Sequence, residues 1–236
     1  MTERREIYRS ANARVIVTGQ PVGKTCCVTF FTYASDESTL PLVNGFGEEI
    51  LTRLALPAVH IINLKNHWWQ IPDLQDCLQA AQEASSAATR RIGYGSSMGA
   101  YAVLRFSEAL AIDESLCFSP QFSISRKLVP FETRWSKEAR SLDFSQESMK
   151  IRQQGIHHII YDPGCDDRQH VELIRAHNPD ANLVLHEVSA GGHFVIRDYQ
   201  SKGHLTRLVS GFRAGHVDPQ LIVAHPDHKD HAAAPG

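Results

Sequence analysis

Serine, aspartate and histidine side chains occur in this chain in an order and spacing that suit nucleophilic chemistry. Gly95-Ser96-Ser97-Met98-Gly99 reads G-x-S-x-G, the pattern in which a serine sits on a sharp strand-to-helix turn and lifts its hydroxyl clear of a sheet. Glycines two before and two after the serine let the neighbouring backbone and helix approach with no Cβ in the way. A serine hydroxyl is a poor nucleophile until a base takes its proton and an acid orients that base. In this arrangement the acid and then the histidine follow the serine along the chain, each in a loop beyond a later strand. Ser189-Ala190-Gly191-Gly192-His193 supplies the base, because glycines permit the excursion that swings an imidazole over the sheet edge. The acid comes from Tyr161-Asp162-Pro163-Gly164-Cys165-Asp166-Asp167-Arg168. Asp162, at a strand end, points into the sheet edge or caps the Pro-Gly turn. Asp166 and Asp167 lie deeper in the loop, at the better distance for a histidine. Asp167 is narrowly preferred to Asp166, and one of the pair also suits the cap of the following helix. Without chemistry, the same stretches read as a tight turn with incidental serines, a loop histidine and a helix cap. His157, His158 and His186 fall within strand patterns, and His170 and His177 within or beside a helix, so they are weaker candidates for a base.

The elements that would position these groups alternate. Arg14–Thr18 and Cys26–Tyr33 read as strands, joined by a Gly-Gln-Pro turn region as a hairpin. A helix is expected over Phe46–Leu56, a buried strand over Ala58–Leu64, and a second helix from Pro72-Asp73 to about Ala88. Arg91-Ile92-Gly93-Tyr94 leads into the serine, and Ala100, Val103, Leu104 and Phe106 after it have helical rather than alternating spacing. Strands follow at Ser115–Phe118, His157–Tyr161 and Asn182–Val188, with helices at about Arg168–Ala176 and Leu205–Phe212. Strands alternating with helices imply a three-layer α/β/α sandwich with a mostly parallel sheet. Between Gln121 and Gly155 the alternation lapses, and this stretch is expected to form a small cap or lid, or else an irregular surface connection.

The bulk properties narrow the function classes. At 236 residues, 42% hydrophobic and 21% charged, the chain suits one α/β domain over 1–217, with a His-rich tail over 218–236 expected to be disordered. A net charge of −2 with scattered basic residues argues against a nucleic-acid partner. Met1–Glu6 is charged and lacks the apolar core of a secretory signal, and no apolar run is long enough to insert in a membrane. The odd set Cys26, Cys27, Cys77, Cys117 and Cys165 has no metal-ligand spacing, and its apolar contexts point to reduced thiols and a cytoplasmic location. No cofactor and no metal site is expected, the histidines of the tail included, and oligomeric state is not legible. Gly19-Gln20-Pro21-Val22-Gly23-Lys24-Thr25 falls one residue short of a P-loop and precedes a strand, so it has no helix N-terminus to cradle phosphate.

The motif at Ser97, the aspartates from Asp162 to Asp167 and the Gly-Gly-His at His193, in that order, resemble the α/β-hydrolase superfamily over roughly Arg14 to Phe212. Tyr94–Tyr101, Ser119-Pro120-Gln121-Phe122-Ser123, and Tyr161-Asp162-Pro163 with Asp167-Arg168-Gln169-His170 are similar to a bacterial subgroup of hydrolase-like proteins. The resemblance implies a serine hydrolase that cleaves an ester or thioester of a small acyl substrate through an acyl-enzyme. The alternatives are an acyltransferase using the same triad, or an inactive binding protein with this fold. It also implies an oxyanion hole formed by the Met98 N–H and a second N–H from the loop after Cys26–Tyr33, at Tyr33 or Ala34. No His-Gly-Gly-Gly oxyanion motif is present, and the N-terminal strands fall short of a full eight-stranded sheet. His67-Trp68-Trp69-Gln70 either lines the pocket mouth or packs in the core.

Overall fold

The computed structural model describes residues 3–189 and 192–217, so the expected tail over 218–236 lies outside the described residues. The strands are β1 (Arg4–Arg9), β2 (Ala13–Thr18), β3 (Thr25–Phe30), β4 (Ala58–Asn63), β5 (Arg90–Ser96), β6 (Glu114–Phe118), β7 (Ile156–Tyr161) and β8 (Asn182–Glu187). The helices are α1 (Glu48–Arg53), α2 (Leu74–Ser85), α3 (Met98–Arg105), α4 (Ser136–Ser141), α5 (Asp167–His177), α6 (Val195–Ser201) and α7 (Leu205–Arg213). Side chains of the central strands divide by parity. Cys26, Val28 and Phe30 enter one apolar layer and Cys27 the other; Ile159 and Tyr161 enter one and Ile160 the other. A sheet buried on both faces needs such unbroken apolar runs. Helices α2, α3 and α5 cover the first face, and α1, α6 and α7 cover the second.

The sheet has eight strands in the order β1-β2-β4-β3-β5-β6-β7-β8. Strand β2 is antiparallel to β1 and β4, and the other pairings are parallel. Two expectations need correction. The N-terminal strands are not reduced: Arg4–Arg9 forms an edge strand, hidden in the sequence because charged side chains are what keep an exposed edge from pairing with another chain. Strands β2 and β3 are not a hairpin, since β4 lies between them. From β3 the chain moves to β4 on one side, and β5 then returns to the other side of β3. The loops leaving β3 and β5 therefore diverge, opening a crevice at their carboxyl ends. Among the described residues no helix is long and apolar enough to cross a membrane. Cys26, Cys27, Cys77 and Cys117 are buried free thiols.

Ser97 occupies the turn between β5 and α3 with φ 53° and ψ −124°, a left-handed conformation that costs a side-chain-bearing residue roughly 1–3 kcal/mol. The chain holds this turn by close backbone approach. A Cβ on Gly95 would lie 2.7 Å from the Gly99 carbonyl carbon, and one on Gly99 would lie 2.4 Å from the Phe30 carbonyl oxygen. Helix α3 thus rests almost on the backbone of β3 and β5, and all its residues are buried. Gly99→Ala must push α3 off β3, so it is expected to lower stability by about 2–3 kcal/mol or more. Urea unfolding measures this, and a midpoint equal to wild type would contradict the close-approach account.

Candidate active site

Three loops at the carboxyl edge of the sheet bring Ser97, His193 and Asp167 together. Ser97 follows β5, and its amide is pinned by the Phe118 carbonyl at 2.8 Å. Gly192, in the loop between β8 and α6, takes φ 105°, and the imidazole of His193 next to it reaches Ser97. Asp167 is the first residue of α5, with its carboxylate fully buried. His193 Nδ1 lies 2.7 Å from Asp167 Oδ2 and 3.0 Å from Oδ1, and Nε2 lies 2.9 Å from Ser97 Oγ. An ionised carboxylate only accepts hydrogen bonds, so Nδ1 carries the ring proton and Nε2 is left to accept from the serine hydroxyl.

Burial alone would raise the Asp167 carboxyl, but hydrogen bonds and charge from His193 and Arg134 outweigh it and hold the group below the usual carboxylate range. The other two aspartates have different partners. Asp162 accepts from the Gly164 N–H at 2.7 Å and the Gly192 N–H at 2.8 Å, capping the Pro-Gly turn and strapping the acid loop to the histidine loop. Asp166 is the residue before α5, and its carboxylate receives only the Gln169 amide at 3.4 Å among the described contacts. The structure therefore sets Asp167, not Asp166, against the histidine.

Of the two amides expected near the serine from the β3 loop, Ala34 is already engaged. Its N–H donates to Asn66 Oδ1 at 2.9 Å while its carbonyl accepts from Asn66 Nδ2 at 2.7 Å. Tyr33 is held differently: its hydroxyl donates to Glu138 on α4 at 3.3 Å, and its amide has no hydrogen bond to a described residue. Met98 opens α3, where the first amides of a helix have no internal acceptor. These two N–H groups, unlike that of Ala34, have no hydrogen bond to a described residue.

Trp68 and Trp69 are fully buried packing residues, and Trp68 meets Trp135 edge-on at 5.0 Å. Trp135 in turn faces His193 at 5.3 Å between ring centres. Several neighbours were given no place at this site by the sequence, because they come from the aperiodic stretch after β6. Gln121 Oε1 lies 3.4 Å from Ser97 Oγ, its amide nitrogen fixed by the Ser119 carbonyl at 2.8 Å. Arg134 Nη1 donates to Asp167 Oδ1 at 2.8 Å, while the rest of its guanidinium grips Glu132 at 2.6–3.1 Å. Glu132 also accepts from buried His170 at 2.9 Å. Among the described residues no three His, Cys, Asp or Glu side chains converge as metal ligands. Two clefts of about 530 Å³ open elsewhere, one beside Met149 and His177 and one beside Ile71 and Phe106, and neither is lined by Ser97, His193 or Asp167.

No family model and no curated protein matches the chain. Solved structures do resemble it. A thermophilic carboxylesterase cloned from a metagenomic library aligns with TM-score 0.60 and 13% identity, over 93% of this chain and 90% of that one. The capsule O-acetyltransferase of Neisseria meningitidis serogroup A, in complex with CoA, aligns with TM-score 0.60 and 10% identity, over 85% and 94%. An α/β-hydrolase enzyme from a Medee basin deep-sea metagenome aligns with TM-score 0.51 and 12% identity, over 78% and 79%. The fold of this chain is the α/β-hydrolase fold.

The buried carboxylates tie stability to pH. Burial pushes Glu132 up, but its bonds to His170 and Arg134 prevail and lower it from 4.5 to about 2. A carboxyl lowered by folding contributes stability that is complete above its unfolded value and lost as pH falls through its folded one. Wild type should therefore lose stability steeply between about pH 4.5 and pH 2, and Glu132→Gln should flatten that slope. Urea midpoints across this range check it, and equal slopes for the two proteins would refute it.

Proposed function

We propose that this chain is a serine esterase that cleaves carboxylic esters or thioesters through an acyl-enzyme. The observation that carries the reading is the continuous contact from Ser97 Oγ to His193 to Asp167, at 2.9 and 2.7 Å, on a serine held in a left-handed turn. In this reading Ser97 Oγ attacks the acyl carbon as His193 Nε2 takes its proton, and Asp167 stabilises the imidazolium through the Nδ1 proton. Charge developing on the carbonyl oxygen meets the Met98 and Tyr33 N–H groups. His193 then returns the proton to the departing alcohol or thiol. A water molecule, deprotonated by the same imidazole, releases the acid and restores the serine.

The likeness to an O-acetyltransferase favours a second reading, in which an acceptor alcohol takes the place of water in the last step. The two share every residue named above and differ only in what deacylates Ser97.

Labelling with a fluorophosphonate probe tests the common part. Wild type should label, Ser97→Ala should not, and His193→Ala should label orders of magnitude more slowly. Asp167→Asn is expected to cut ester turnover by about 10⁴, whereas Asp166→Ala should stay near wild type. Folded wild type that neither labels nor turns over short-chain esters would sink the proposal. Adding alcohol acceptors to the ester assay separates hydrolysis from transfer by product.

A further inference from the structure

The acid of the site has a second partner that its chemistry does not require. The His193 Nδ1–H already donates to Asp167, yet Arg134, thirty-odd positions earlier in the stretch after β6, reaches in to donate to Oδ1 at 2.8 Å. The guanidinium is itself immobilised. Glu132 takes its Nε and Nη2 at 3.1 and 2.6 Å, and Glu132 Oε1 also accepts the Arg134 backbone N–H at 2.7 Å. Glu132 Oε2 holds His170 Nε2 at 2.9 Å, and His170 Nδ1 accepts the Phe122 N–H at 3.2 Å. The guanidinium also lies over the Trp135 ring at 4.5 Å, and that ring faces His193. A planar fork that serves two carboxylates at once is a task for arginine, whose charge is permanent and whose donors are fixed in direction.

We propose that Arg134 is a positioning residue for the Asp167 carboxylate, held in place by Glu132 and His170, and that it sets how strongly Asp167 stabilises the charged form of His193. This rests on the esterase reading for its kinetic consequences. A purely structural ion pair would fasten the stretch after β6 to α5 and leave the chemistry alone. A positioning role adds an electrostatic one. The other titratable groups facing this cluster are His170 on α5, Asp162 and Cys165 in the loop after β7, and Ser97 itself. Against that fixed background, the positive charge of Arg134 opposes a second positive charge on the imidazole, and the negative charge of Glu132 has the opposite effect.

The test compares Arg134→Gln, Arg134→Lys and Glu132→Gln with wild type, each checked for folding by circular dichroism. The fluorophosphonate labelling rate against pH falls on the acid side, where His193 becomes charged. In Arg134→Gln this acid limb should move up by about half to one pH unit, with the plateau rate reduced about tenfold. In Glu132→Gln the limb should move down. Arg134→Lys keeps the charge without the fork, so its limb should stay at the wild-type pH while its plateau falls. An unmoved limb in Arg134→Gln, or movement of both neutral variants in the same direction, overturns the proposal. Where Arg134→Gln does not fold, the downward limb of Glu132→Gln decides. A readout without activity separates the two hypotheses: the low-field proton resonance of His193 Nδ1–H, which Asp167→Asn should abolish. If wild type does not label but Arg134→Gln weakens that resonance, the esterase reading fails and the positioning role stands. If the resonance is unchanged in Arg134→Gln, the positioning role fails whatever the activity.

Discussion

The contact on which the site depends is between backbones. Helix α3 lies so close to β3 and β5 that no side chain fits at Gly95 or Gly99, and this closeness leaves Ser97 in a conformation it would not choose alone. The strain is small beside the apolar area that α3 buries, so the packing dictates the turn rather than the reverse. Everything else at the carboxyl edge is placed relative to that fixed point. The Phe118 carbonyl anchors the serine amide, the start of α3 turns its free N–H groups outward, and the neighbouring strands set how far the later loops must reach.

Asp167 and His193 come from separate loops, and two separate devices join them. One is the direct carboxylate–imidazole contact. The other is Asp162, whose two oxygens grip the amides of Gly164 and Gly192, so that the loops after β7 and β8 are tied by the backbone as well as by the reacting groups. An aspartate at a strand end that the sequence offers as a rival to Asp167 thus braces the Asp167–His193 contact from behind. Its neighbour Asp166 is turned away by the phase of α5, since adjacent residues on a helix point about 100° apart.

How much was legible in the sequence follows from the range of each determinant. The turn at Ser97 was readable because glycine spacing and the switch from strand to helix period lie within a dozen residues. The choice between Asp166 and Asp167 was not, because it depends on where α5 begins to within one residue. Ala34 looked as available as Tyr33 until Asn66, 32 positions away, closed both its backbone groups. Strand β1 was hidden by the charges that protect it. The contacts that join Glu132 and Arg134 to His170 and Asp167 left no trace, because they link an aperiodic stretch to a helix face that only the folded chain brings together.

The chain has three tryptophans, and one of them, Trp135, touches this site. Trp68 and Trp69 are adjacent in the core, and Trp135 bridges Trp68 to the ring of His193. Indole emission is sensitive to a charged imidazole at van der Waals range and to exclusion of water. Of the three, Trp135 faces His193 and Trp69 meets His67 edge-on at 5.4 Å, so the protein's own indole emission reports on two histidine environments, one of them beside Ser97.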